Sequence, residues 1–162
     1  MTSREMPQEM SEDMSPELAE VLAGNCYCLA MRRASRRLIR LYDAELEEQG
    51  LTITQFATLA WIKALRRPTV QKIADYMDID QSALSRGLVP LERKGFIGSK
   101  PDETDGRKRV LLLTQEGEAK LEAASKSWKR AQLRVAEEHP DIDMKQLLAG
   151  LQDISGGIEK GA

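Results

Sequence analysis

Between Thr69 and Thr114 the hydrophobic pattern switches from helical to strand spacing, with sharp stops between the pieces, and few architectures accommodate that order. Val70, Ile73, Ala74 and Met77 recur at i, i+3, i+4 and i+7, one face of a short helix with Thr69 placed as its N-cap. Asp78-Ile79 forms a turn. Asp80 caps a second helix reaching Lys94, in which Leu84, Leu88 and Leu91 share a side, and Gly95 stops it. Phe96–Thr114 reads as two strands around Asp105-Gly106, a two-residue hairpin turn with basic residues at its tip. Helix, tight turn, helix and basic hairpin is the order of a winged helix-turn-helix, which places one helix in a DNA major groove and a loop beside it.

The flanks read as helices. A first helix is predicted from about Pro16 to Glu48, with Gly50 ending it; its apolar residues are Leu18, Val21, Leu22, Leu29, Met31, Ala34, Leu38, Leu41 and Tyr42. Thr52 and Gln55 form a capping box for the next helix, Leu51 and Phe56 a hydrophobic staple, and Pro68 its stop. A fifth helix runs from about Thr114 to Glu138. A last one, from Asp141 to about Glu159, spaces Leu147, Leu151, Ile154 and Ile158 as a helix–helix seam. The expected fold is mainly α: a winged helix-turn-helix of about six helices and a two-stranded β-hairpin wing. Residues 1–15 are expected to be a disordered acidic tail and 16–162 one domain, with its winged core at about 52–114. The helices at about 16–50 and 115–160 carry apolar stripes that so small a core does not satisfy, which predicts a homodimer.

With 162 residues and a net charge of −2, the chain is acidic for a DNA binder, but the charge is segregated. Residues 1–20 hold one Arg against six acids, whereas residues 63–110 hold eleven Lys and Arg against seven acids. Phosphates respond to charges within a Debye length of roughly 8–10 Å, so the local excess is what counts. No apolar run is long enough to span a membrane, and the N-terminus lacks the apolar stretch of a secretory signal, so the cytosol is expected. One His and two Cys give no metal-ligand spacing, and neither a phosphate-cradling loop nor a nucleophile elbow is present, so no cofactor and no enzymatic activity are expected.

Gln81, Ser82, Ser85 and Arg86 lie opposite or beside the leucine stripe of the fourth helix and are the candidate base readers. Arg86 is foremost among them, since arginine bonds guanine O6 and N7 bidentately. Arg107 and Lys108 flank the hairpin tip, where a wing reaches a minor groove. Thr69, Lys72, Arg93, Lys94 and Lys100 are candidate phosphate contacts, which set register and salt dependence. Arg32, Arg33, Arg36, Arg37 and Arg40 read as a solvated or interdomain polar face pairing with acids such as Asp43 or Glu45 or with a partner chain. Trp61, Trp128 and Met31 fit either an effector pocket or core packing.

Four segments together resemble the MarR family of bacterial transcriptional regulators: Leu29 to Tyr42, Leu51 to Phe56, Ile79 to Phe96, and Asp102 to Gly117. The family's wing carries D-x-R-D-x-R, and here Thr104 stands at the first arginine while Arg107 keeps the second, with Lys108 and Arg109 as replacement charge. The resemblance implies a two-fold dimer on a palindromic double-stranded operator and recognition by the fourth helix. It also implies control by a small aromatic or other organic ligand or by an oxidant, with repression the commoner mode. In the hydroperoxide-sensing branch a reactive cysteine sits near the start of the first helix, and counting back from Tyr42 places Cys28 there. Arg32 occupies the position of that branch's tyrosine. A buried small hydrophobe is the alternative role for Cys28 and for Cys26.

Overall fold

The computed structural model describes residues 16–20, 24, 26–103 and 105–156. In chain order these form α1 (Pro16–Glu20), α2 (Tyr27–Leu46), α3 (Ile53–Leu65), α4 (Val70–Met77), α5 (Gln81–Arg93), β1 (Ile97–Pro101), β2 (Arg109–Leu113), α6 (Gln115–Glu138) and α7 (Met144–Ile154). A 3-10 turn at Glu47–Gln49 follows α2 and closes on Gly50, whose φ of 63° is left-handed. The expected winged helix-turn-helix, mainly helical with one antiparallel hairpin, is the fold found. The acidic tail, and Val21, Leu22 and Ile158 of the expected stripes, lie outside the described residues.

The chain divides into two compact units, residues 1–40 and 41–162. In the first, the single helix expected from Pro16 is not continuous, since Cys26 stands outside helix and α2 starts at Tyr27. The Cys26 carbonyl accepts from the Ala30 amide as α2 begins.

The second unit is built on caps. Thr52 Oγ1 accepts the Gln55 amide at 3.2 Å while Gln55 Oε1 accepts the Thr52 amide at 3.1 Å, and Asp43 Oδ1 accepts the Ile53 amide at 2.7 Å. These satisfy the first donors of α3 and turn its Phe56, Leu59 and Ile62 inward. Ile73 and Ala74 of α4, Leu84, Leu88 and Leu91 of α5, Ile97 of β1, Leu111 of β2 and Leu121 and Ala124 of α6 complete one core. Burying each such leucine or isoleucine contributes about 1.5–3 kcal/mol. Pro90 has no N–H for the Arg86 carbonyl, yet α5 continues through it to Arg93. In α7, Asp143 caps through the Lys145 and Gln146 amides, which sets its start later than expected.

The wing also differs from expectation. Pro101 pairs with Arg109, so the seven residues 102–108 connect the strands and no two-residue hairpin forms. The Lys108 amide donates to the Asp105 carbonyl at 2.8 Å, giving a four-residue turn, and the Asp102 amide donates to the Lys108 carbonyl. Asp side chains organise this loop: Asp102 Oδ1 accepts from the Asp105 amide and Asp105 Oδ1 from the Arg107 amide. Gly106 does not take the positive φ that a type I′ hairpin turn requires.

Candidate nucleic-acid interface

The helix-turn-helix is closed by local bonds. Asp78 takes φ 49° at the end of α4, a left-handed conformation that Asp tolerates, and the Ile79 amide reaches back to the Ala74 carbonyl at 3.1 Å. Asp80 then starts α5, its carboxylate accepting the Ser82 and Ala83 amides at 2.8 and 3.1 Å. With Leu84, Leu88 and Leu91 held in the core, the opposite arc of α5 faces outward. Ser82 and Arg86 lie on that arc with Ser85 and Gln81 beside it, the four spanning roughly 140° at 100° per residue, and all are exposed. Ser85 Oγ donates to the Gln81 carbonyl at 2.8 Å, while Arg86 Nη1 donates to Ser82 Oγ at 3.2 Å. The Ser82 hydroxyl and the Ala83 and Ser82 amides hold the Asp80 carboxyl below its ordinary value.

A groove of about 340 Å³ opens beside the first turn of α5, lined by Thr69, Val70, Gln71, Gln81, Lys108 and Arg109. It joins the start of α4, the start of α5 and the wing. The link is covalent in neither direction but hydrogen-bonded: Thr69 bridges to Val110, and the Leu111 amide donates to the Pro68 carbonyl at 2.9 Å. The loop after α3 thus lies along β2 as a third, one-residue strand. An Arg67–Glu103 ion pair adds a second tie between that loop and the wing.

The structure therefore gathers Thr69, Gln81 and Lys108, expected in three different roles, at one concave surface. Gln71 joins them without having been singled out; its place two residues after a Thr cap, on the side of α4 away from Ile73, was the available signal. Arg107 is exposed at the wing tip. Lys72 is exposed on α4 and Lys100 on β1. Thr104, noted for replacing an arginine, lies outside the described residues.

Other candidates are placed elsewhere. Arg93 and Lys94 stand about 18 Å along the helix axis from Gln81, at 1.5 Å per residue, and Lys94 Nζ donates to the Gly50 carbonyl at 2.8 Å. Arg109 lines the groove and is oriented across the hairpin, its Nε and Nη2 donating to Ser99 Oγ and O at 2.7 and 2.9 Å, neutral acceptors that leave its charge in place. Trp61 packs on Tyr76 with centroids 4.9 Å apart, and Trp128 stacks on Phe56 at 5.9 Å, so the two indoles belong to separate core contacts. Asp43 and Glu45, expected to pair with the α2 arginines, are otherwise engaged: Asp43 caps α3, and Glu45 pairs with Arg130 and Arg134. Cys28 is exposed in the first turn of α2 and Cys26 half-buried just before it; both are free thiols. Cys26 stands outside the helix, contrary to the expectation that both cysteines share it. No helix among the described residues is long and apolar enough to cross a membrane.

Residues 51–108, which hold α3, the helix-turn-helix and the wing loop, match the sequence profile of the MarR family. An uncharacterized HTH-type transcriptional regulator of Bacillus cereus is 31% identical over 101 residues, which are 62% of this chain and 67% of that protein. The chain belongs to the MarR family. Within that family of transcriptional regulators its fold is similar to that of the transcriptional repressor CouR bound to a 23-mer DNA duplex. That likeness has a TM-score of 0.75 at 27% identity, over 90% of this chain and 99% of CouR. The M. tuberculosis regulator MosR in complex with DNA gives a TM-score of 0.67 at 30% identity, over 81% of this chain and 96% of MosR. The MarR-family match covers every residue that lines the groove except Arg109, while β2, α2, α6 and α7 lie outside it.

Proposed function

We propose that this MarR-family regulator binds a palindromic DNA operator as a homodimer and represses transcription by occluding a promoter, until a small organic effector releases it. The observation that carries this reading is the groove where Thr69, Gln81 and Lys108 meet beside the exposed arc of α5. In it α5 lies in the major groove, with Arg86 on guanine and Gln81, Ser82 and Ser85 on neighbouring base edges or phosphates. Thr69, Lys72 and Lys100 meet the backbone, and Arg107 and Lys108 approach the minor groove. The DNA-bound structures of CouR and MosR support the arrangement by their shared fold. CouR is itself a transcriptional repressor.

Support for the dimer comes from α7, where Leu147, Leu148, Leu151 and Ile154 are 40–67% exposed along one short helix. Such a stripe marks an association surface. Two copies would present two α5 helices to half-sites one helical turn apart, about 34–36 Å.

Selection from a random duplex pool with purified reduced protein tests the proposal. Enrichment of a palindrome with half-sites about ten base pairs apart is expected. No enrichment even at low salt, from folded dimer, would leave a winged-helix module that binds protein. A second reading rests on the exposed Cys28 thiol: oxidation by a hydroperoxide to the sulfenic acid, with release of the alcohol, would replace the effector as trigger. A Cys28→Ser protein still released from DNA by hydroperoxide would exclude it.

A further inference from the structure

Asp80 does more at the start of α5 than cap it. Two of the hydrogen bonds its carboxylate accepts, from the Ser82 and Ala83 amides, are those of an ordinary N-cap. A further one, from the Ser82 hydroxyl, is not needed by the helix. A serine hydroxyl has a single proton and two lone pairs, and an ionised carboxylate only accepts. The Ser82 proton is therefore committed to Asp80, and its oxygen faces outward as an acceptor. Arg86, which only donates, uses that oxygen through Nη1 from one turn further on. The sequence spacing Asp80-x-Ser82-x-x-x-Arg86 thus builds a directed chain, carboxylate to hydroxyl to guanidinium, along the exposed arc.

We infer that Asp80 is a specificity-determining positioning residue: by fixing the direction of the Ser82 hydroxyl, it makes Ser82 an acceptor-only reader and holds Arg86 beside it. The inference rests on the DNA-reading function proposed above. In the major groove, cytosine N4 and adenine N6 are donors, whereas guanine O6 and N7 and thymine O4 are acceptors. An acceptor-only Ser82 favours cytosine or adenine at the base it faces and sets oxygen against oxygen or nitrogen at the other two. Tethering Arg86 through Nη1 leaves its Nε and Nη2 hydrogens as a free edge for a guanine, in a side chain already partly ordered before binding.

The test uses Asp80→Gly and Asp80→Asn in the full chain, because both residues are tolerated at an N-cap while only Asn keeps an acceptor for Ser82. Each protein is titrated against duplexes carrying every single base change at the positions that contact Ser82 and Arg86. Wild type and Asp80→Asn should prefer cytosine or adenine opposite Ser82 by about fivefold, the worth of one hydrogen bond, and guanine opposite Arg86 by roughly 5- to 150-fold. Asp80→Gly, helical by circular dichroism, should lose the first preference and narrow the second, since the freed hydroxyl then donates to guanine or thymine equally well. A folded Asp80→Gly protein with the wild-type pattern at both positions overturns the inference, as does a wild-type preference for guanine or thymine opposite Ser82. Wild-type protein with no base preference anywhere is a different failure, because it removes DNA reading itself before Asp80 is at issue.

Discussion

Arg86 sits on the solvent side of α5 with its guanidinium on Ser82 and no role in the core, so its removal isolates recognition from folding. Arg86→Ala should lower discrimination at one base pair of each half-site by about 1–3 kcal/mol while the melting temperature and the oligomeric state stay unchanged. Fluorescence anisotropy on matched and mismatched duplexes would measure it, and a uniform loss across all sequences would instead make Arg86 a phosphate contact. Two exposed carboxylates contribute on the acid side. Asp80 lies below its ordinary value chiefly through the Ser82 hydroxyl, and Glu48 through hydrogen bonds from Arg130 and Ser127. Folded-state values below the unfolded ones mean that their contribution is complete above the unfolded values of 3.8 and 4.5. It is lost as pH falls through the lower folded values. Melting temperature should therefore drop below about pH 4, and Asp80→Asn should flatten part of that drop; an identical acid limb in the variant would show that Asp80 is not among its causes. Arg86 and Ser82 were legible as outward-facing residues from 100° spacing alone. The Asp80–Ser82–Arg86 chain was not, because a period gives the side of a helix and says nothing of rotamers or of where a hydroxyl proton goes.

The starts of α3, α4 and α5 were legible, because each rests on a cap that acts within three residues: Thr52 with Gln55, Thr69 with the Lys72 amide, Asp80 with Ser82 and Ala83. The wing was misjudged for the opposite reason. Asp105-Gly106 reads locally as a hairpin turn, but Asp102 and Asp105 side chains capture backbone amides and open a longer loop. The joint between β1 and α6 was hidden as well, since it depends on two segments meeting. There Thr114 Oγ1 donates to the Gly95 carbonyl at 2.6 Å and accepts the Gly117 amide at 3.0 Å, and a Cβ on Gly117 would stand 1.9 Å from the Phe96 carbonyl oxygen. Backbone on both sides leaves nothing flexible to yield. Gly117→Ala should cost about 3 kcal/mol, the upper part of the overpacking range, and shift α6 and the hairpin, as read by chemical denaturation and by amide exchange in β1. The Arg67–Glu103 pair makes the contrast: it is exposed, so Glu103→Gln should change stability by less than about 1 kcal/mol. A larger loss there would mean that the ion pair, rather than the Pro68–Leu111 bond, fixes the wing against the helix-turn-helix.

At the scale of the molecule, the net charge of −2 and the basic surface at residues 63–110 are compatible because they act over different distances. Composition alone would have argued against DNA, and the order of helix, turn, helix and hairpin outweighed it. The quaternary step has the thinnest trace in the sequence: leucines spaced four and three apart mark a seam but not what fills it. In the fold, Leu148 and Ile154 are 56% and 67% exposed, so α7 gains little from them within the protomer. That exposure makes the proposed dimer separable from the fold. Leu148→Glu with Ile154→Glu should leave each protomer's stability within about 0.5 kcal/mol of wild type per site, as exposed positions do, yet place like charges across a two-fold interface. Sedimentation should then report monomer at micromolar concentration. A monomer presents a single α5, so DNA binding should fall to that of one half-site and the dependence on salt should shallow, roughly in proportion to the phosphates no longer neutralised. Should the variant remain a dimer with unchanged salt dependence, the association surface lies elsewhere and α7 is an exposed apolar helix with another partner.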